Sequence, residues 1–163
     1  MVKKRFKDFF MIVAESAANM SRATRLKVGA VIVKDGNIIS FSWNGTPAGV
    51  DNTCEDKIYA QVGDNLEDFP FIETDFSDRR YKTKTKPTVV HAELNAIFKL
   101  AKSHESGENA SMFITHAPCI ECSKGIFSSG IKKVYYRDVY RSMDGIEFLE
   151  QCGIKVEKIL KEE

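Results

Sequence analysis

From residue 88 onward the chain alternates short apolar runs with amphipathic stretches, and this alternation restricts the fold more than any other feature. Two valines, Val89 and Val90, lead into a helical pattern over 91–102. There Ala92, Ala96 and Leu100, flanked by Leu94, Ile97 and Ala101, form a broad apolar surface. "SMFIT" then reads as a strand and "CIECSKGIFSSG" as a helix stopped by Gly130. "KKVYY" is a strand, "SMDGIEFLEQCG" a short helix and "IKVEKIL" a final strand. Strands that alternate with helices are joined by right-handed crossovers and lie parallel.

The first 50 residues supply the rest of a sheet. Residues 5–20 place Phe6, Phe9, Phe10, Val13, Ala14 and Ala17 at three- and four-residue intervals, an amphipathic helix whose stripe should face that sheet. "LKVGAVIVKDGNIISFSWNG" follows as two β-branched runs broken at Asp35-Gly36, a pair suited to a two-residue antiparallel hairpin. The expected fold class is therefore α/β. It is a three-layer α/β/α sandwich on a mixed five-stranded sheet, antiparallel in its first hairpin and parallel in its later strands.

At 163 residues, 43% hydrophobic and 29% charged, the chain fits one domain over 1–163 with an ordinary core. Residues 50–86 lose periodicity. A strongly acidic stretch, "DNTCEDKIYAQVGDNLEDFPFIETDFSD", precedes "RRYKTKTKP", whose charges are all basic. They read as an irregular insertion, either functional or disordered. With 24 basic and 23 acidic residues the formal charge is +1, so no nucleic-acid partner is expected. Asp8 and Glu15 interrupt the basic, apolar N-terminus, and no run approaches the ~18 apolar residues of a membrane span. An intracellular protein with no membrane partner is the expectation. Four cysteines are too few for a disulfide scaffold.

Chemistry concentrates at two helix starts. "TVVHAELNAI" sets His91 and Glu93 where a strand-like run turns into a helix, and "APCIEC" does the same for Cys119 and Cys122. Residues i and i+3 on a helical turn point the same way, so both sulfurs can reach one ion. Taken alone, C-x-x-C reads as a zinc-ligand pair, a redox pair or two core cysteines. With His91 it makes three zinc ligands, and a catalytic zinc keeps three, leaving its fourth position open. The positive end of each helix favours thiolates there. Glu93 is then not needed as a ligand and is free to move protons.

H-x-E followed by P-C-x-x-C, each opening a helix after a strand, matches the signature of zinc nucleobase deaminases. Four segments extend the match over most of residues 5–158: "KVGAVIV", "WNGTPAG", "VHAELNAI" and "APCIECSKGIFSSGIKKVYY". On these the chain resembles the deoxycytidylate (dCMP) deaminases of the cytidine deaminase superfamily, close to the viral type. The N-G-x-P-x-G loop narrows the resemblance to that branch.

The resemblance implies a hydrolase that converts dCMP and water to dUMP and ammonia and so supplies dUMP for thymidylate synthesis. Its cofactor would be one Zn2+ per subunit, held by His91, Cys119 and Cys122, with Glu93 as the catalytic proton carrier. A second, structural zinc is not expected, because residues 50–86 hold Cys54 but no histidine. The backbone N–H of Ala92 would donate to the base carbonyl, Val28 would pack on the ring, and Tyr136 would flank base or sugar. Asn44 either contacts the sugar or serves as a turn residue in Asn-Gly. Arg25 and Lys27, and more weakly Arg137, are either phosphate ligands or surface charges. The number of phosphates is not fixed, so dCTP remains open as a substrate. By the same resemblance the protein would be a cytoplasmic homohexamer (host cytoplasm, if viral), activated by dCTP and inhibited by dTTP. Gly45, Pro47, Gly49 and Lys102 are the effector-site candidates. Cys152 reads as core, and His104 and His116 as surface or packing residues. A tRNA adenosine or polynucleotide deaminase would share the zinc site but should show a basic face. A zinc-stabilised binding module would need a fourth ligand, and none sits at suitable spacing.

Overall fold

The computed structural model describes residues 3–74, 78–139 and 142–161, so residues 75–77 of the 50–86 segment and the extreme ends of the expected 1–163 domain lie outside the described residues. Among the described residues, eight strands and four α-helices follow in the order α1 (Lys4–Ala18), β1 (Gly29–Lys34), β2 (Asn37–Trp43), β3 (Glu55–Tyr59), β4 (Phe71–Ile72), β5 (Arg80–Thr85), α2 (Ala92–Leu100), β6 (Ser111–His116), α3 (Ile120–Ser128), β7 (Lys133–Asp138), α4 (Asp144–Gln151) and β8 (Lys155–Lys158). The main sheet is five-stranded, in the order β2-β1-β6-β7-β8. β1 pairs antiparallel with β2 and β6, while the pairs β6–β7 and β7–β8 are parallel. The expected mixed sheet is thus present.

Strand alternation sends β1 side chains to two cores. Val31 and Val33 meet Phe10, Met11 and Ala14 of α1, while Ala30 and Ile32 join Ala92, Ala96 and Leu100 of α2 together with Ile126 and Leu149. α1 therefore covers one face and α2, α3 and α4 the other. Asp35 (φ 49°) and Gly36 (φ 82°) both adopt positive φ, as a tight hairpin turn requires.

The stripe of α1 departs from the sequence expectation. Phe6 and Phe9 are 43% and 53% exposed, and the buried residues are Phe10, Met11, Ala14, Ala17 and Ala18. Small residues win because the helix lies almost on the sheet. A Cβ at Gly29 would stand 2.0 Å from the Ala14 carbonyl oxygen and 2.6 Å from the Ala18 nitrogen. The alanines and Gly29 permit that approach, and two phenylalanine rings would not.

The described residues of the 50–86 segment are not irregular. They form a second sheet, ordered β3-β5-β4 and antiparallel throughout, with a 3-10 turn at Leu66–Asp68. Aromatic and cationic side chains line it: Arg79 lies over Tyr59, Lys57 over Tyr81 and Lys82 over Phe69. Glu73 binds Lys57 at 2.8 Å and accepts from the Tyr59 hydroxyl at 2.6 Å. Its entry and exit are tied together. Gly45 and Val90 exchange two backbone hydrogen bonds, and Lys86 N–H donates to the Cys54 carbonyl. Among the described residues no helix is long and apolar enough to cross a membrane.

Candidate active site

The Gly45–Val90 bridge ends the extended chain immediately before His91. His91 keeps an extended backbone (φ −67°, ψ 152°) as the N-cap of α2, so its side chain lies outside the helical turn that carries Glu93. That break lets residues two apart serve one site. α2 is locked in place from β2: the Ser40 hydroxyl donates to the Ala96 carbonyl at 2.8 Å, and the Asn95 amide to the Trp43 carbonyl at 3.1 Å. Cys119 is likewise the extended N-cap of α3, with Cys122 in its first turn. α4 packs hard against this turn, because a Cβ on Gly145 would come 2.1 Å from the Pro118 carbonyl oxygen and 2.9 Å from the Cys119 carbonyl carbon.

These placements bring three donors together. His91 Nδ1 stands 3.6 Å from Cys119 Sγ and 3.3 Å from Cys122 Sγ, and the three ligand atoms lie within 4.8 Å of one another. The Cys119 thiol is held down to about 3, first by a hydrogen bond from Cys122 and next by one with His91. Cys122 is pushed well up by the same bond and by burial. His91 is raised, chiefly by its bond to Cys119. Three ionisable groups thus crowd a single point and perturb one another. Two thiolate-forming sulfurs and an imidazole suit zinc, and no fourth side chain joins the cluster among the described residues. The donor set fits a catalytic zinc and does not close a structural one.

Glu93, 4% exposed, belongs to no ligand cluster, and burial raises its carboxyl above the usual range. It lines a cavity of about 310 Å³ together with His91 and Cys119. Val28, Asn44, Ala92 and Arg25 line the same cavity. Asn44 is also structural. Its Oδ1 accepts from Val28 N–H at 2.8 Å and its Nδ2 donates to the Leu26 carbonyl at 2.9 Å, so it shapes the wall on which Val28 stands.

Other expected residues lie elsewhere. Lys27 is exposed and does not line the cavity. Tyr136 is buried with Ala117 and Ile146, because its strand position turns it toward α4. Arg137, 7% exposed, ion-pairs with Glu15 of α1 at 3.0 Å and donates to the Ile159 carbonyl, which removes it as a phosphate ligand. Gly45 is bridged to Val90 just before α2, while the exposed Lys102 lies beyond that helix's other end. Cys152 is only half-buried, and His104 is exposed.

Three polar residues of the cavity wall were not among the expected site residues. His116, read as surface or packing, lines the cavity at the end of β6; its place three residues before Cys119 was the available signal. Glu55 and Thr85 reach the cavity from β3 and β5, a segment whose charged alternation gave no apolar face to read.

Known proteins resemble this chain along its whole length. The family described as the cytidine and deoxycytidylate deaminase zinc-binding region matches residues 4–138. The deoxycytidylate deaminase of Enterobacteria phage T4 is 34% identical over 168 residues, which cover 91% of this chain and 87% of that protein. ComE operon protein 2 of Bacillus subtilis (strain 168) is 31% identical over 160 residues, 98% of this chain and 74% of that protein. The crystal structure of the dCMP deaminase from cyanophage S-TIM5, in complex with dCMP and dUMP, superimposes with a TM-score of 0.78. It is 41% identical and covers 98% of this chain and all (100%) of that one.

Proposed function

The chain belongs to the cytidine and deoxycytidylate deaminase zinc-binding family, and from that premise we propose that it hydrolyses dCMP to dUMP and ammonia, supplying dUMP for thymidylate synthesis. One observation carries this reading: the three-donor cluster opens on a nucleotide-sized cavity that a buried, non-ligating Glu93 also lines. The relatives support the choice of substrate, since the phage T4 protein is a deoxycytidylate deaminase and the cyanophage one holds dCMP and dUMP.

His91 through Nδ1, and Cys119 and Cys122 through Sγ, would hold the zinc, whose Lewis acidity makes water nucleophilic near neutral pH. Val28 and Ala92 pack against the cytosine ring, and the first N–H of α2 orients its carbonyl. Glu93 moves the protons. It takes one from the attacking water and passes it to N3 of the base, then takes the remaining one from the new C4 hydroxyl and delivers it to the amino nitrogen, which departs as ammonia while the C4 carbonyl forms. Burial favours the neutral carboxyl, so Glu93 holds a proton readily between these transfers. Arg25 meets the phosphate.

The proposal places one deaminase domain over 1–163, with 50–86 as its insertion. It extends to a cytoplasmic homohexamer activated by dCTP and inhibited by dTTP, a reading supported by the N-G-x-P-x-G resemblance. Light scattering with and without each nucleotide tests it, and a monomer unaffected by both would refute it. The decisive assay measures ammonia release from dCMP, dCTP, cytidine and an adenosine-bearing RNA in parallel. Turnover of dCMP supports the proposal, and turnover of the RNA alone would replace it with a tRNA-type deaminase.

A further inference from the structure

The insertion contributes a carboxylate to the cavity that the deamination chemistry does not use. Glu55, on β3, is half-buried and lines the cavity beside Arg25. One of its oxygens, Oε1, accepts from the backbone N–H groups of Thr24 at 3.0 Å and Arg25 at 3.3 Å. Opposite it across the strand pair stands Thr85, whose hydroxyl lies 3.3 Å from Arg25 Nη1. The insertion therefore holds Arg25 at both ends. Glu55 fixes its backbone and Thr85 its guanidinium, and no ion pair within 4.0 Å joins Glu55 to Arg25 itself. Among the described residues, and apart from the two histidines, Arg25 is the one cation lining the cavity and Glu55 the one carboxylate besides Glu93.

Resting on the deaminase reading above, we propose that Glu55 is a specificity-determining residue that limits the substrate to a nucleoside monophosphate. A single guanidinium neutralises one phosphate group. A second and third phosphate would bring added negative charge to a wall where the next ionic group is a carboxylate, and like charges set side by side in a partly desolvated site repel strongly. The same Oε1 that repels a polyphosphate fastens Arg25, so Glu55 also positions the cation that a monophosphate needs. Selection by charge differs from selection by size. A steric wall is indifferent to salt, whereas repulsion between charges is screened.

The test is the ratio of kcat/KM for dCTP to that for dCMP, measured on the zinc-loaded full chain without divalent cations other than zinc. Glu55→Gln keeps an oxygen to accept from Thr24 and Arg25 but removes the charge. The expected result is a ratio raised about tenfold, mainly through a lower KM for dCTP. Glu55→Asp, which retains the charge, should keep the wild-type preference. An unchanged ratio in Glu55→Gln would overturn the proposal. Should that variant fail to fold, the wild-type protein decides alone: its preference for dCMP must shrink as sodium chloride is raised, and a salt-independent preference rejects selection by charge. A wild-type protein that deaminates neither nucleotide would instead refute the deaminase reading. One that turns over both equally would refute only the role of Glu55.

Discussion

At the starts of α2 and α3 four polar groups crowd together with Glu93 and Cys122 buried among them, whereas across β3, β4 and β5 many are exposed and paired on the surface. Glu93 and Cys122 sit inside, braced by apolar helices and a sheet buried on both sides. Lys57, Tyr59 and Glu73 sit outside, held mainly by one another. The first arrangement perturbs ionisation, because buried groups cannot relax their charges into water. The second contributes little stability per contact, since water screens each pair. The cavity lies where the two meet, taking its reactive groups from one region and Glu55 and Thr85 from the other.

The sharpest way to break this contrast is to remove a ligand. Cys122→Ser should lose zinc, measured by elemental analysis, and with it all detectable ammonia release. Glu93→Gln comes next. It should keep one zinc per chain while kcat falls by about 10²- to 10⁴-fold, and loss of the metal would make Glu93 a ligand instead. Core packing follows. Phe113, fully buried between Phe10 and the stacked ring of Tyr135, should cost ~3–5 kcal/mol of unfolding free energy as Phe113→Ala. Asn44→Ala strips both hydrogen bonds from the 26–28 wall and should cost ~1–3 kcal/mol while raising KM for dCMP. An effect on stability without any on KM would separate the wall from substrate binding.

The smallest effect belongs to the insertion. Hydrogen bonds to Glu73 raise both Tyr59 and Lys57 above their ordinary values. Because the folded-state values are the higher ones, the cluster's contribution is complete at neutral pH. It is lost as pH rises through the folded values, above the ordinary tyrosine and lysine range near ~10. Near-ultraviolet circular dichroism of the tyrosines should therefore change at high pH before the main sheet unfolds. Tyr59→Phe should abolish that early change.

The same contrast explains what could be read in the sequence. His91, Glu93, Cys119 and Cys122 stood out because short spacings at helix starts fix direction with little help from the rest of the fold. The central strands β1, β6 and β7 were legible because burial on both faces favours nearly continuous apolar runs. Strand identity does not tell which neighbour a side chain meets. Tyr135 and Tyr136 are adjacent yet go to opposite cores, and Arg137 turns back to Glu15, 122 positions away. β5 escaped notice because "RYKTKT" alternates polar with polar. Its strand character comes from cross-strand pairing and cation–ring contacts, which need the partner strands in place.

The two hydrogen bonds between Gly45 and Val90 join the ends of everything from residue 46 to residue 89. A segment pinned at its neck behaves as an exchangeable cassette. Closing a flexible loop there costs only ~0.6 kcal/mol more for each doubling of its length. The wall facing the nucleotide could therefore be lengthened, shortened or replaced while the neck, and the histidine that follows it, stay where they are. The neck thus separates Glu55 and Thr85, which line one side of the cavity, from the residues that frame its other walls.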